Sequence, residues 1–148
     1  MPKNIEEWLS LALWLAAVGH FCVLIASFQV PQRLHWKEDL GKLTAFNRKL
    51  MWVYSGFTLF TVVAFGVLSL ILHTEMMRGD RSALALACFI GSFWLLRIVV
   101  DSTYYSHRDW PQGFSFRVGH ILLNTLFVFL SASFLAVPLW HWLKASRL

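Results

Sequence analysis

The segment Ser82–Ser106, SALALACFIGSFWLLRIVVDSTYYS, decides the fold: it is long and apolar enough to cross a bilayer, yet holds Arg97 and Asp101 one helical turn apart. A guanidinium near the middle of a hydrocarbon layer costs roughly 2.5 to 3.5 kcal/mol even on the lenient insertion scale. Arg97 is therefore expected to face protein, water or a ligand instead of acyl chains. The stretch predicts a membrane helix that carries a buried polar site.

Working outward, four apolar runs can be read: Trp8–Phe28, Phe46–Leu72, Ala83–Ser106 and Phe116–Trp142. Each is near or above the ~20 residues that a helix needs to cross the bilayer core. Of the 148 residues, 57% are hydrophobic and 14% charged, against roughly 25% charged in soluble domains. The expectation is one transmembrane domain over residues 1–148, with almost nothing left for a soluble part. Glu6 and Glu7 precede the first run where a signal peptide carries positive charge, so that run is expected to stay as a span. Backbone groups in lipid must be bonded within the segment, and none of the runs alternates like a barrel strand. The predicted fold is all-α, an integral membrane four-helix bundle whose short connections make successive helices antiparallel.

The connection Gln29–Ala45 is the longest, and Pro31 is expected to break the first helix. Trp36, Leu40 and Leu43 recur at helical spacing among Arg33, Lys37, Glu38, Asp39 and Lys42, which predicts a short amphipathic helix on the membrane surface. His73–Ser82 reads as a tight turn around Gly79-Asp80, with Asp80 or Ser82 as the next cap. In His107–Ser115, Trp110-Pro111 and Gly113 mark a turn and Ser115 is a candidate cap.

Positive charge sets the orientation. With the amino terminus outside, the cytoplasmic side receives seven cations (Arg33, Lys37, Lys42, Arg48, Lys49, Arg108 and Arg117), against five on the other side. Both termini are thus expected on the non-cytoplasmic side of a bacterial-type cytoplasmic membrane. The net charge of +5 lies beside apolar segments and is interrupted by Glu38 and Asp39, which suits anionic lipid headgroups and not nucleic acid. Trp8, Trp140 and Trp142 mark one interface and Trp36, Trp52 and Trp110 the other, leaving Trp14 and Trp94 between them. Cys22 and Cys88 lie at different depths and are not expected to bridge.

On the third span Trp94, Arg97, Asp101, Tyr104, Tyr105 and Arg108 recur at intervals of three and four, which predicts one continuous inward stripe. His20 shares a face with Ala12, Ala16 and Gly19; His120 is followed one turn later by Asn124 and further on by Ser131. The strongest polar groups therefore gather toward the cytoplasmic face, with His20 and His120 at levels about four residues, ~6 Å, apart. His35 and Asn47 are placed to close that site from below, whereas His73 and His141 fall at the other interface and are expected to be solvated.

Three chemistries fit such a group. Arg97 can hold a carbonyl or anionic head while Trp94 and the tyrosines flank an apolar tail, as in a lipid or quinone site; His20, His120 and Asn124 would add hydrogen bonds or proton exchange. Two imidazoles on separate helices can be the axial ligands of haem b, an arrangement that resembles small cytochrome b anchors through His20 and His120 alone. A non-haem metal would take His20, His107, His120 and a carboxylate from Asp101 or Asp109. A reading of another class makes the Arg97–Asp101 pair a packing device in a subunit of a larger membrane complex or a homo-oligomer. Nucleophilic catalysis lacks a motif: Ser55, Ser69, Ser92 and Ser131, like Gly56, Gly66 and Gly91, suit close helix packing.

Overall fold

A computed structural model describes residues 4–105 and 113–146, apart from the side chain of Ser115. Every regular element among them is a helix: α1 Ile5–Arg33, α2 Trp36–Gly41, α3 Ala45–Ile71, α4 His73–Arg78, α5 Arg81–Thr103 and α6 Phe114–Ala145. α1, α3, α5 and α6 are each long and apolar enough to cross a membrane, so the chain has the build of an integral membrane protein.

The long helices overrun the apolar runs because backbone hydrogen bonding continues past the last apolar side chain. α1 does not break at Pro31, as the sequence suggests; it carries the proline inside and ends at Arg33. The missing N–H deprives the helix of a single late bond, and the Leu34 N–H still closes onto the Val30 carbonyl. His35, at φ 49, then turns the chain into α2. Between α2 and α3 the Thr44 hydroxyl accepts from the Asn47 N–H at 3.4 Å, capping α3.

The expected tight turn after α3 contains a helix of its own. α4 ends at Gly79, whose φ of 87 is left-handed; the N–H groups of Gly79 and Asp80 both return to the Glu75 carbonyl. Asp80 is the N-cap of α5 but makes no side-chain capping bond, and Ser82 lies inside the helix. α6 likewise starts from Gly113, which places Ser115 within it.

α5 packs on α6, and α1 packs on both α6 and α3. Aromatic rings bridge the remaining side, Phe65 of α3 lying edge-on to Phe89 and Phe93 of α5. The core holds Leu13, Ala16, Phe65, Ile90, Trp94 and Phe134. α3 turns much of its surface outward, exposing Phe46, Tyr54, Phe57 and Phe60, as expected of a helix bordered by hydrocarbon. Cys22 and Cys88 are exposed and unbridged. Trp14 points outward while Trp94 is buried.

α5 and α6 approach closely at Gly91. A Cβ there would stand 2.6 Å from Leu135 Cγ and 3.2 Å from its backbone nitrogen, and the Ser131 hydroxyl donates to the Gly91 carbonyl at 3.0 Å. Gly91→Ala is expected to lower stability by about 1 to 3 kcal/mol, the usual cost of overpacking; an unfolding midpoint in detergent equal to the parent's would refute the contact.

α2 carries an exposed pair, Lys42 Nζ donating to Asp39 Oδ1 at 2.9 Å. The hydrogen bond from Lys42, and then its charge, hold the Asp39 carboxyl below its ordinary range. The pair therefore persists at neutral pH and opens only as pH falls through that lowered value. An NMR titration of Asp39 should show this displacement, and Lys42→Gln should abolish it.

Candidate polar site between α5 and α6

The seam between α5 and α6 carries charge because Arg97 and Asp101, one turn apart on α5, meet His120 and Asn124, one turn apart on α6. Arg97 Nη1 donates to Asp101 Oδ1 at 3.4 Å, a long monodentate contact. The other carboxylate oxygen accepts from Asn124 Nδ2 at 2.9 Å and lies 3.3 Å from His120 Nε2. Asn124 Nδ2 also reaches to 2.6 Å from that imidazole nitrogen. Asp101 is thus the hub, held from both helices.

Burial differs among the members. The Asp101 side chain is 13% exposed and that of His120 24%, whereas Arg97 is 37% exposed. The guanidinium carbon lies 5.5 Å from the Phe127 ring centre and 5.8 Å from that of Tyr105, so aromatic faces flank it. Its one hydrogen bond among the described residues goes to Asp101, while a guanidinium offers five N–H donors.

The expected stripe on α5 stops short. The helix ends at Thr103 and Tyr104 points away, 81% exposed. Tyr105, past the helix end, keeps a place beside Arg97. A spacing of three and four places side chains on one face only while the helix continues, and α5 ends at Thr103. Arg108, His107, Asp109 and Trp110 lie outside the described residues.

His20 is also placed elsewhere. Its ring is fully buried, Nδ1 donating to the Ala16 carbonyl at 3.0 Å and Nε2 accepting from Trp94 Nε1 at 3.1 Å. Phe65, Trp94 and Phe134 surround it with ring centres 5.5 to 6.0 Å away. Phe134 lies on α6 fourteen residues beyond His120, about 21 Å along the axis. The expectation that His20 and His120 sit near one level is therefore not met. Each is tied to its own partners, and the two rings are not arranged to face each other across one iron. Haem b does not fit these residues.

Of the metal set His20, His107, His120 and Asp101, His107 lies outside the described residues; of the other three the structure brings together His120 and Asp101, and no group of three ligating side chains forms among the described residues. Adding haem to the purified protein is expected to give no Soret shift that His20→Ala or His120→Ala removes; such a shift would reverse this assignment.

Trp94 belongs to the His20 layer yet touches the Arg97 layer through Phe127, on which it stacks at 4.9 Å. Phe127, bordering both, was not singled out from the sequence. Its spacing of three from Asn124 and four from Ser131 was the available signal.

The other end of the bundle is more structured than its sequence suggests. His73 Nε2 donates to the Ser10 carbonyl at 3.1 Å, because α4 carries the ring onto α1, and His141 lies against Gly79. Neither is simply solvated. Lys144 and Glu6 pair there at 2.9 Å, beside an open groove bordered by Glu6, Glu7, Ser10, Leu11 and Trp14. His35 is exposed, and Asn47 serves as a backbone contact to Thr44; neither has a contact with the Arg97 cluster.

Comparison with protein-family models, with curated proteins and with solved structures returned no match. The functional reading therefore rests on the site itself.

Proposed function

We propose that this chain is a small integral membrane binding protein or subunit that holds the polar head of a lipid- or quinone-like ligand at Arg97, with Asp101, His120 and Asn124 as the supporting cluster. The observation that carries the reading is the state of Arg97. It is 37% exposed in a membrane-spanning helix, spends one donor on a 3.4 Å contact and is bordered by two aromatic faces. A cation whose remaining donors have no acceptor among the described residues, in an apolar surrounding, is stabilised by an oxygen-rich head beside it. Tyr105, half-exposed beside the guanidinium, offers apolar contact to the adjoining chain of such a ligand.

In this reading the four long helices alternate in direction, which the short connection through α4 favours. α2 lies along the membrane surface with Trp36 at headgroup depth, supported by the edge contact of Trp36 with Trp52 and by the exposed Lys37, Glu38, Asp39 and Lys42. The excess of Lys and Arg around α2 places it, and the Arg97 site, toward the cytoplasm, with both termini outside a bacterial-type membrane.

Native mass spectrometry of the protein extracted in mild detergent, with added phosphatidylglycerol or a short-chain ubiquinone analogue, tests the site. Arg97→Gln is expected to weaken retention of the bound molecule roughly tenfold or more, since hydrogen bonds to charged groups contribute about 1.5 to 3 kcal/mol. Equal retention by the parent and a folded Arg97→Gln protein would reject the site and favour a scaffold that uses the charged pair for packing.

A further inference from the structure

Residues 33–49 carry five cations, Arg33, Lys37, Lys42, Arg48 and Lys49, and two acids, Glu38 and Asp39. Asp39 takes Lys42 Nζ at 2.9 Å, so Arg33, Lys37, Arg48 and Lys49 stand against Glu38. All of these side chains are exposed. Basic clusters beside a membrane helix attract anionic lipid, but charge on a loose loop draws a whole leaflet and selects no molecule. A site requires the cations to be held in place.

Two aromatic rings hold them. α2 buries Leu40 to 8% exposure and packs on α1, while Trp36 at its amino end meets Trp52 of α3 edge-on, with ring centres 6.0 Å apart. Lys37 follows Trp36 in the chain. Arg48 and Lys49 precede Trp52 by four and three residues, on its side of α3. The contact between the rings therefore draws cations of two helices to one corner, and Arg33 closes α1 there. We propose that this corner of α1, α2 and α3 binds one anionic phospholipid, its phosphate among Lys37, Arg48 and Lys49 and its acyl chains along the outward face of α3.

The path for the chains is continuous with the cations. Lys49, Val53, Phe57 and Phe60 follow one face of α3 and are all exposed, and α3 is the least covered of the four long helices. A soluble anion would meet the cations and leave that apolar face bare; a lipid covers both. A zwitterionic head brings an ammonium of its own to a basic corner, so the charge selects an anionic head. The inference uses the placement of α2 at the membrane surface and is independent of the Arg97 site, which lies on the other helix pair.

The test reconstitutes the full chain in phosphatidylcholine nanodiscs that hold a small fraction of phosphatidylglycerol or of phosphatidylcholine with a photoreactive acyl chain, and maps the crosslinked peptides by mass spectrometry. Crosslinks within residues 50–60 are expected to be about fivefold or more frequent with the phosphatidylglycerol probe, the effect of a single cation beside an anionic surface. About 1 M salt should lower that preference in the unaltered protein, because exposed charges are screened. Lys37→Gln, Arg48→Gln and Lys49→Gln together should make the two probes equal. Arg78→Gln with Arg81→Gln, exposed cations beyond the opposite end of α3, should change nothing. Equal labelling by both probes in the unaltered protein would overturn the site, and so would an equal loss in the two variants, the result of general attraction to positive charge. Displacement of the probe by millimolar inorganic phosphate would overturn the lipid in favour of a soluble anion. Arg97→Gln should leave labelling of α3 unchanged: its loss there would place the lipid at the Arg97 seam and overturn the corner site, whereas failure of the Arg97 reading leaves the α3 result intact.

Discussion

Replacing His20 by alanine is expected to lower stability by about 2 to 5 kcal/mol, the range for emptying a fully buried, well-packed site. The ring has no exposed surface and is enclosed by Phe65, Trp94 and Phe134. Its loss leaves a void between α1, α3, α5 and α6 that these rings fill poorly. It also removes the acceptor of the Trp94 indole N–H, 3.1 Å away, and a buried donor without a partner costs about 1 to 3 kcal/mol within that total. The decisive measurement is a double-mutant cycle with Trp94→Phe, read as unfolding midpoints in mixed micelles. Trp94→Phe keeps an aromatic ring against Phe127 but has no N–H to satisfy. A coupling near 1 kcal/mol between the two changes is expected; strictly additive effects would show that the indole and the imidazole do not interact.

The second large effect is expected at Asp101. Asp101→Leu alone leaves Arg97 without its counter-charge and takes the acceptor from Asn124 and the neighbour from His120. Breaking a buried pair by removing one partner costs about 3 to 5 kcal/mol. The exposure of Arg97, 37%, lets it relax, so about 2 to 4 kcal/mol is the expected loss. The double change Arg97→Leu, Asp101→Leu removes both charges and should recover most of it, because an apolar replacement of an ion pair is often neutral. It should at the same time abolish headgroup retention. Recovered stability without lost retention would move the ligand away from this seam; a double variant no more stable than Asp101→Leu would show that the cluster, and not the unpaired cation, sets the stability.

These two layers differ in how readily they are read from a sequence. Arg97 and Asp101 are visible because charge is conspicuous in an apolar run, and their pairing follows from i,i+4 spacing on one helix. Asn124 with His120 is visible for the same reason. That the two pairs meet across the α5–α6 seam is not contained in either helix; it depends on their relative rotation, set here by the approach of Gly91 to Leu135 and by the Ser131–Gly91 bond. Nearness to a membrane face groups His20 with them in the sequence, yet it bonds Trp94 a full layer away.

The apolar runs and their lengths settle, without coordinates, that this chain is helical and suited to a bilayer, because hydrocarbon tolerates only backbones whose polar groups are satisfied within the segment. Its amphipathic linker and its charged pair are equally local, since both depend on spacing along one helix. Which polar side chains meet was decided by tertiary packing alone: the rotation and axial shift of one helix on another separate His20 from His120 and gather Arg97, Asp101, His120 and Asn124 around one carboxylate. The physical reason is that periodicity identifies a helix face, whereas a contact between helices is fixed by the side chains of both.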